Sequence, residues 1–178
     1  MKKSIFTLAG LLLLALPSCL KDKEVDYTDW RESNEAYIEE IKALTLPDNS
    51  PEYVMVSPVW GPGYKSYIKW HTPRNPEALT PMDNSTVDVV YCLQTIDGAV
   101  IDSSYKNTIY GDSIFRTKPV ACVPGFHVAL TSMAEGDSIT AVVPFNSGYG
   151  ITGSASVKPY STLIFNLKLK KIVSWEVP

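Results

Sequence analysis

Between Thr86 and Gln94, Val87, Val89, Tyr91 and Leu93 alternate with Asp88, Val90, Cys92 and Gln94. A strand sends successive side chains to opposite faces, so this period of two predicts a strand with one strongly apolar face. Asp97-Gly98 follows as a hairpin signal, because glycine tolerates positive φ, and Val100-Ile101 resumes the strand. Farther along, Glu135-Gly136-Asp137 predicts a turn into a strand over Ser138–Val143. Leu163, Phe165, Leu167 and Leu169 then alternate with Ile164, Asn166 and Lys168 in a last strand. Pro124 suits the first turn of a short helix, where its missing N–H costs nothing. Phe126, Leu130 and Met133 fall on one side of that helix. Antiparallel strands with one short helix predict an α+β domain.

Upstream the pattern changes. Trp30, Tyr37, Ile38, Ile41 and Leu44 recur at helical spacing, with Asp29 near the N-cap and Pro47-Asp48-Asn49-Ser50-Pro51 as the stop. This helix is expected to pack on the domain that follows. Tyr53-Val54-Met55-Val56 and Ser66-Tyr67-Ile68-Lys69-Trp70 read as short strands, and Pro73, Pro76 and Pro81 interrupt the chain before the main domain. The chain therefore divides into residues 1–18, a tether over 19–28, an N-terminal extension over 29–82 and a domain over 83–174.

Residues 1–18 read as an export signal. Lys2 and Lys3 precede an apolar run from Ile5 to Leu16 that is short for a membrane span. The run ends Leu16-Pro17-Ser18-Cys19, which resembles a lipobox, so cleavage before Cys19 and lipidation of that residue are expected. An ordinary signal peptide is the alternative. The membrane would then be reached through lipid rather than through a protein helix.

Of 178 residues, 45% are apolar and 20% charged, which excludes a disordered or fibrous chain. The whole sequence holds 16 basic against 19 acidic residues; without residues 1–18, which contain Lys2 and Lys3 and no acid, the balance is 14 against 19, net −5. That surface offers no footprint for nucleic acid. Beyond Cys19 the cysteines are Cys92 and Cys122, both in apolar, strand-like contexts, and two free buried thiols are expected. With His71 and His127 as the only histidines, no zinc-ligand spacing is present.

The order of several segments resembles the FKBP-type peptidyl-prolyl isomerases. They are Tyr91, the Asp97-Gly98 turn, Ile101-Asp102-Ser103-Ser104, Pro124-Gly125-Phe126 followed by Leu130 and Met133, Ser147-Gly148-Tyr149-Gly150, and Thr162-Leu163-Ile164-Phe165. The resemblance runs from about Val87 to Val173 and, with the N-terminus, is to a lipoprotein form like those of the Bacteroidetes. It implies a bent antiparallel sheet wrapped around a short helix, an apolar site between them, and no metal or cofactor.

Carried over position by position, the resemblance makes Tyr91 and Phe165 walls and Phe126 the floor. Phe115 closes another side. Val123 offers its backbone N–H to a ligand carbonyl, and Tyr149 reaches in from a long loop with its hydroxyl. Asp102 points its carboxylate toward the peptide, and Val157 lies on the rim. Ile101 replaces the family's usual Phe and Phe126 its usual Trp, which implies a wider bowl with less aromatic surface. The implied activity is cis–trans isomerisation of Xaa-Pro bonds in exported or envelope proteins, by a monomer held in the cell envelope, probing proline-containing clients and no nucleic acid. Two other readings stand beside it: a catalytically weak peptide-binding or chaperone module, and a structural surface lipoprotein using Trp30 and the Trp60–Trp70 segment as an interface.

Overall fold

The computed structural model describes residues 25–73, 75 and 77–175. The expected export signal, Cys19, part of the tether, and Pro76 lie outside the described residues. The first element among the described residues is helix α1 (Thr28–Ala43). The helix begins one residue before the expected cap: Tyr27 is the N-cap, and Asp29 sits in the first turn, where a carboxylate complements the exposed N–H groups. Asp26 Oδ1 accepts both the Thr28 N–H (2.9 Å) and its hydroxyl (2.7 Å), organising the chain just before the helix. Of the expected apolar stripe, Ile38 and Ile41 are buried, Trp30 and Tyr37 are half-buried, and Leu44 is exposed. Leu44 has left the stripe because it is the C-cap, with extended backbone (ψ 130°).

Among the described residues seven strands follow: β1 (Val54–Val56), β2 (Ser66–Trp70), β3 (Thr86–Gln94), β4 (Val100–Ser103), β5 (Phe115–Thr117), β6 (Ser138–Val143) and β7 (Leu163–Ser174), with helix α2 (Pro124–Thr131) between β5 and β6. They form one bent antiparallel sheet in the order β1-β2-β6-β7-β3-β4. β5 pairs with the first half of β3, and β4 with its second half. This is the predicted α+β class.

The sheet is covered on both faces, which explains its burial pattern. Ile139, Ala141 and Val143 of β6 face α2 and join the main core with Leu130, Met133 and Phe165. Val142, between them, points the other way and packs with Tyr67 under Ile38 and Ile41 of α1. A strand buried on both sides reads as a continuous apolar run, as Ile139–Val143 nearly does. α2 lies very close to β6: a Cβ on Gly125 would fall 2.2 Å from Val143 Cγ1, so only glycine permits this approach. The β3–β4 turn works as predicted, with Gly98 at φ 80° and the Gly98 N–H bonded to the Thr95 carbonyl.

Two positions of β3 depart from the alternation, Asp88 and Cys92, both of them buried. Asp88, expected on the polar face of β3, is buried. Arg116 of β5 meets it with two hydrogen bonds, of 2.7 and 2.8 Å, so the buried carboxylate is paired.

Candidate functional site

The end of the sheet between α2 and β3 holds a cavity of about 360 Å³. Its walls follow from strand geometry. Tyr91 and Leu93 are two apart on β3 and share a face, and β7 sets Phe165 opposite Leu93. Phe115 enters from β5, whose pairing with β3 places it beside Val89. Pro124 starts α2 at its first position, and Phe126 follows two residues on, aimed at the sheet. The close approach permitted by Gly125 brings the Phe126 ring edgewise onto Phe165, centroids 4.7 Å apart. Tyr91 meets Phe126 at 6.0 Å and Phe115 at 5.3 Å, both edge-to-face. Four rings therefore run in series, Phe115–Tyr91–Phe126–Phe165, each contact in the arrangement the ring quadrupoles favour.

Polar groups stand at the rim. The Tyr91 hydroxyl donates to Asp102 Oδ2 at 2.6 Å, and Asp102 Oδ1 accepts the Ser103 N–H at 2.8 Å. The β3–β4 register sets this up by pairing Leu93 with Asp102. Buried Ser104 fixes the Tyr91 backbone: its hydroxyl accepts the Tyr91 N–H and its own N–H donates to the Tyr91 carbonyl, each at 3.0 Å. Burial first, then the bond to Asp102, hold the Tyr91 phenol far above its ordinary pKa, so it remains a neutral donor. Tyr149 also lines the cavity, from the loop joining β6 to β7, with burial and the nearby Asp102 charge raising its phenol.

Seven of the predicted residues thus converge: Tyr91, Asp102, Phe115, Val123, Phe126, Tyr149 and Phe165. Ile101 and Val157 do not line the cavity. Ile101 is half-buried against the main core, and Val157, expected on the rim, is 3% exposed within it. Val157 turns inward because its carbonyl accepts the Ser154 N–H in a tight turn whose backbone crowds Gly153. Three lining residues escaped the sequence reading: Leu93, Ala121 and Cys122. Leu93 was signalled by its i+2 relation to Tyr91, and the other two by adjacency to Val123.

Cys122 also corrects the expectation of two buried thiols in strands. Cys92 is buried, but Cys122 caps the 3-10 turn Pro119–Ala121 and is only partly buried; both are free. Burial pushes the Cys122 thiol up, and a contact with the Thr117 hydroxyl partly offsets this.

Every lining residue comes from Tyr91 onward, so none of the described extension covers the cavity. A larger hollow of about 710 Å³ lies between Val25–Arg31 and Ile151, Pro159 and Tyr160, and it contains none of the predicted site residues. Among the described residues no group of three or more His, Cys, Asp or Glu side chains could hold a metal ion. Among them, too, no helix is long and apolar enough to cross a membrane.

Residues 77–170, more than half of the chain, match the family model described as FKBP-type peptidyl-prolyl cis-trans isomerase. Over 90 residues the chain is 36% identical to the FKBP-type peptidyl-prolyl cis-trans isomerase FkpA of Escherichia coli K12, a match covering 50% of this chain and 32% of FkpA. It is 26% identical over 171 residues to the macrophage infectivity potentiator of Trypanosoma cruzi, covering 96% of this chain and 83% of that protein. Among solved structures, a peptidyl-prolyl cis-trans isomerase from Pseudomonas syringae superposes with a TM-score of 0.64 at 19% identity, covering 83% of this chain and 96% of that one. The crystal structure of E. coli FkpA superposes with a TM-score of 0.61 at 24% identity, covering 83% and 63%. At these identities the structures speak for the fold. In sequence, the match spans about a third of the length of FkpA.

Proposed function

The chain belongs to the FKBP-type peptidyl-prolyl cis-trans isomerase family, and we propose that it catalyses rotation about Xaa-Pro bonds in the cavity between α2 and β3. The observation that supports this most is the series of four rings closed at its rim by the Tyr91–Asp102 hydrogen bond. Amide resonance sets a barrier of about 18–20 kcal/mol to the rotation. The twisted transition state has lost that resonance and much of its charge separation, so apolar walls suit it better than they suit the planar amide. This is differential binding of the transition state. The Val123 N–H and the Tyr149 hydroxyl are the donors that fix the substrate's carbonyls and supply orientation. Asp102 acts by holding the Tyr91 ring and by its field; no proton has to move, so it needs no role as a base.

The clients in this proposal are proline-containing segments of exported or envelope proteins, and the protein is a monomer anchored in the cell envelope through lipid on Cys19. The Leu16-Pro17-Ser18-Cys19 sequence supports the anchor. Metabolic labelling with a palmitate analogue tests it: label retained in Cys19→Ser would sink it.

The activity is tested by NMR exchange of short Xaa-Pro peptides with the protein lacking residues 1–18. Acceleration that falls in both Asp102→Ala and Tyr149→Phe is the expected result. Folded protein without acceleration refutes the enzyme. Peptide binding without turnover would then favour the weak binding module, a reading supported by the smaller Ile101 and Phe126 side chains.

A further inference from the structure

The loop that carries Tyr149 lies between β6 and β7, and α1 grips it from behind. Asn34 is completely buried in the middle of α1. A fully buried amide on a helix that could hold leucine there is costly unless its polar atoms are used. They are: Asn34 Oδ1 accepts the Thr162 N–H at 2.6 Å, its Nδ2 donates to the Trp30 carbonyl at 2.7 Å, and the Thr162 hydroxyl donates to the Asn34 carbonyl at 3.4 Å. One turn earlier, Trp30 Nε1 donates to Ser161 Oγ at 3.1 Å, and Ser161 passes the bond on to the Lys158 carbonyl at 2.8 Å. The Lys158 ammonium lies over the Trp30 ring at 4.7 Å, and the Arg31 guanidinium over the Tyr160 ring at 5.2 Å.

These ties reach Tyr149 through the loop's own hydrogen bonds. The Tyr160 N–H donates to the Gly150 carbonyl at 3.0 Å, the Gly153 N–H to the Tyr149 carbonyl at 3.1 Å, and the Gly150 N–H to the Phe145 carbonyl at 2.8 Å. Glycines on both sides of Tyr149, one of them at positive φ, contribute no side-chain restraint of their own. To the loop's own hydrogen bonds, and to the Lys65 N–H donated to Ser147 Oγ at 2.8 Å, α1 adds ties from outside.

We infer that α1 is a positioning element for the cavity, with Trp30 and Asn34 as positioning residues that hold the loop so that the Tyr149 hydroxyl reaches the bound peptide. The inference rests on the proposed role of Tyr149. It gives the N-terminal extension a function in the site although none of its described residues lines the cavity.

Trp30→Phe removes one donor and keeps most of the ring; Asn34→Ala removes both side-chain ties and strands the buried Thr162 N–H. In the full chain carrying Trp30→Phe, hydrogen exchange at the Gly150, Gly153 and Tyr160 amides should quicken about three- to tenfold, the equivalent of one hydrogen bond. Exchange at the Leu93 and Leu167 amides of β3 and β7 should not change. Asn34→Ala should act on the same amides more strongly. In isomerase assays Trp30→Phe should lower kcat/KM, and the loss should vanish in a Tyr149→Phe background, because coupled residues are not additive. Unchanged loop exchange, an equal rise in the sheet, or an equal loss of activity in the Tyr149→Phe background would each overturn the positioning role. A wild-type protein without isomerase activity would instead refute the function proposed above, and exchange alone would then decide whether α1 orders the loop.

Discussion

The Tyr91 hydroxyl and Asp102 Oδ2 are 2.6 Å apart, joining β3 to β4 at the mouth of the aromatic cavity. The bond turns the polar end of a wall residue away from the floor and toward a carboxylate, leaving the ring face for a ligand. It also ties the protonation of Tyr91 to the folded state.

Alkaline stability should report that tie. Tyr91 and Tyr149 both keep their protons to higher pH when folded than an ordinary phenol, which ionises near about 10. Below that pH both states are protonated and their contribution is complete. Above it the unfolded chain releases protons that the folded chain retains, so stability is lost as pH rises toward the folded values. Urea unfolding between about pH 9 and 12 should show a shallower decline in Tyr91→Phe than in the wild type. Identical slopes would mean that Tyr91 is not held as described.

Phe126 is at once floor and core, being 4% exposed and in contact with two other rings. Phe126→Ala should cost about 3–5 kcal/mol in thermal or urea unfolding, and isomerase activity with it. Tyr149→Phe should lower activity at nearly unchanged stability, since Tyr149 is 37% exposed. A stable Phe126→Ala variant would show that the floor is not part of the core.

Gly125→Ala should destabilise by about 1–3 kcal/mol, because the new methyl meets Val143 Cγ1 at 2.2 Å and Cγ2 at 2.8 Å. Adding Val143→Ala should restore part of the loss, as expected for neighbours that share one space. Additive losses in the double variant would place the strain elsewhere.

Cys122 provides a footprint of the cavity. Its thiol lines the wall and is pushed up by burial, so maleimide should modify it slowly at neutral pH and faster as pH rises. A proline peptide that enters the cavity should slow this further in a Cys92→Ser background. Protection that is absent at saturating peptide would place binding somewhere else.

Much of this was legible in the chain. The two-residue periods of β3 and β7, the Asp97-Gly98 turn and the Pro124 helix start are local, because strand alternation and turn chemistry act within a few residues. The family resemblance, resting on ordered segments around Tyr91, Asp102, Phe126, Tyr149 and Phe165, anticipated most of the cavity lining. It did not anticipate Cys122, whose backbone leaves the strand pattern at the 3-10 turn, or the inward Val157, whose direction is set by a turn closing on Gly153.

What the amino-acid sequence determined alone is therefore the class of each element and the apolar face each strand would bury. Tertiary structure alone decided what covers the opposite face. Asp88 is buried because Arg116 arrives from another strand, and Val142 because α1 lies on the outer side of the sheet. Asn34 looks like an ordinary polar residue on a helix until Thr162, far along the chain, brings a buried N–H to its side-chain oxygen. Periodicity records how a segment divides itself between two faces; burial and pairing depend on which distant segment the fold brings to each.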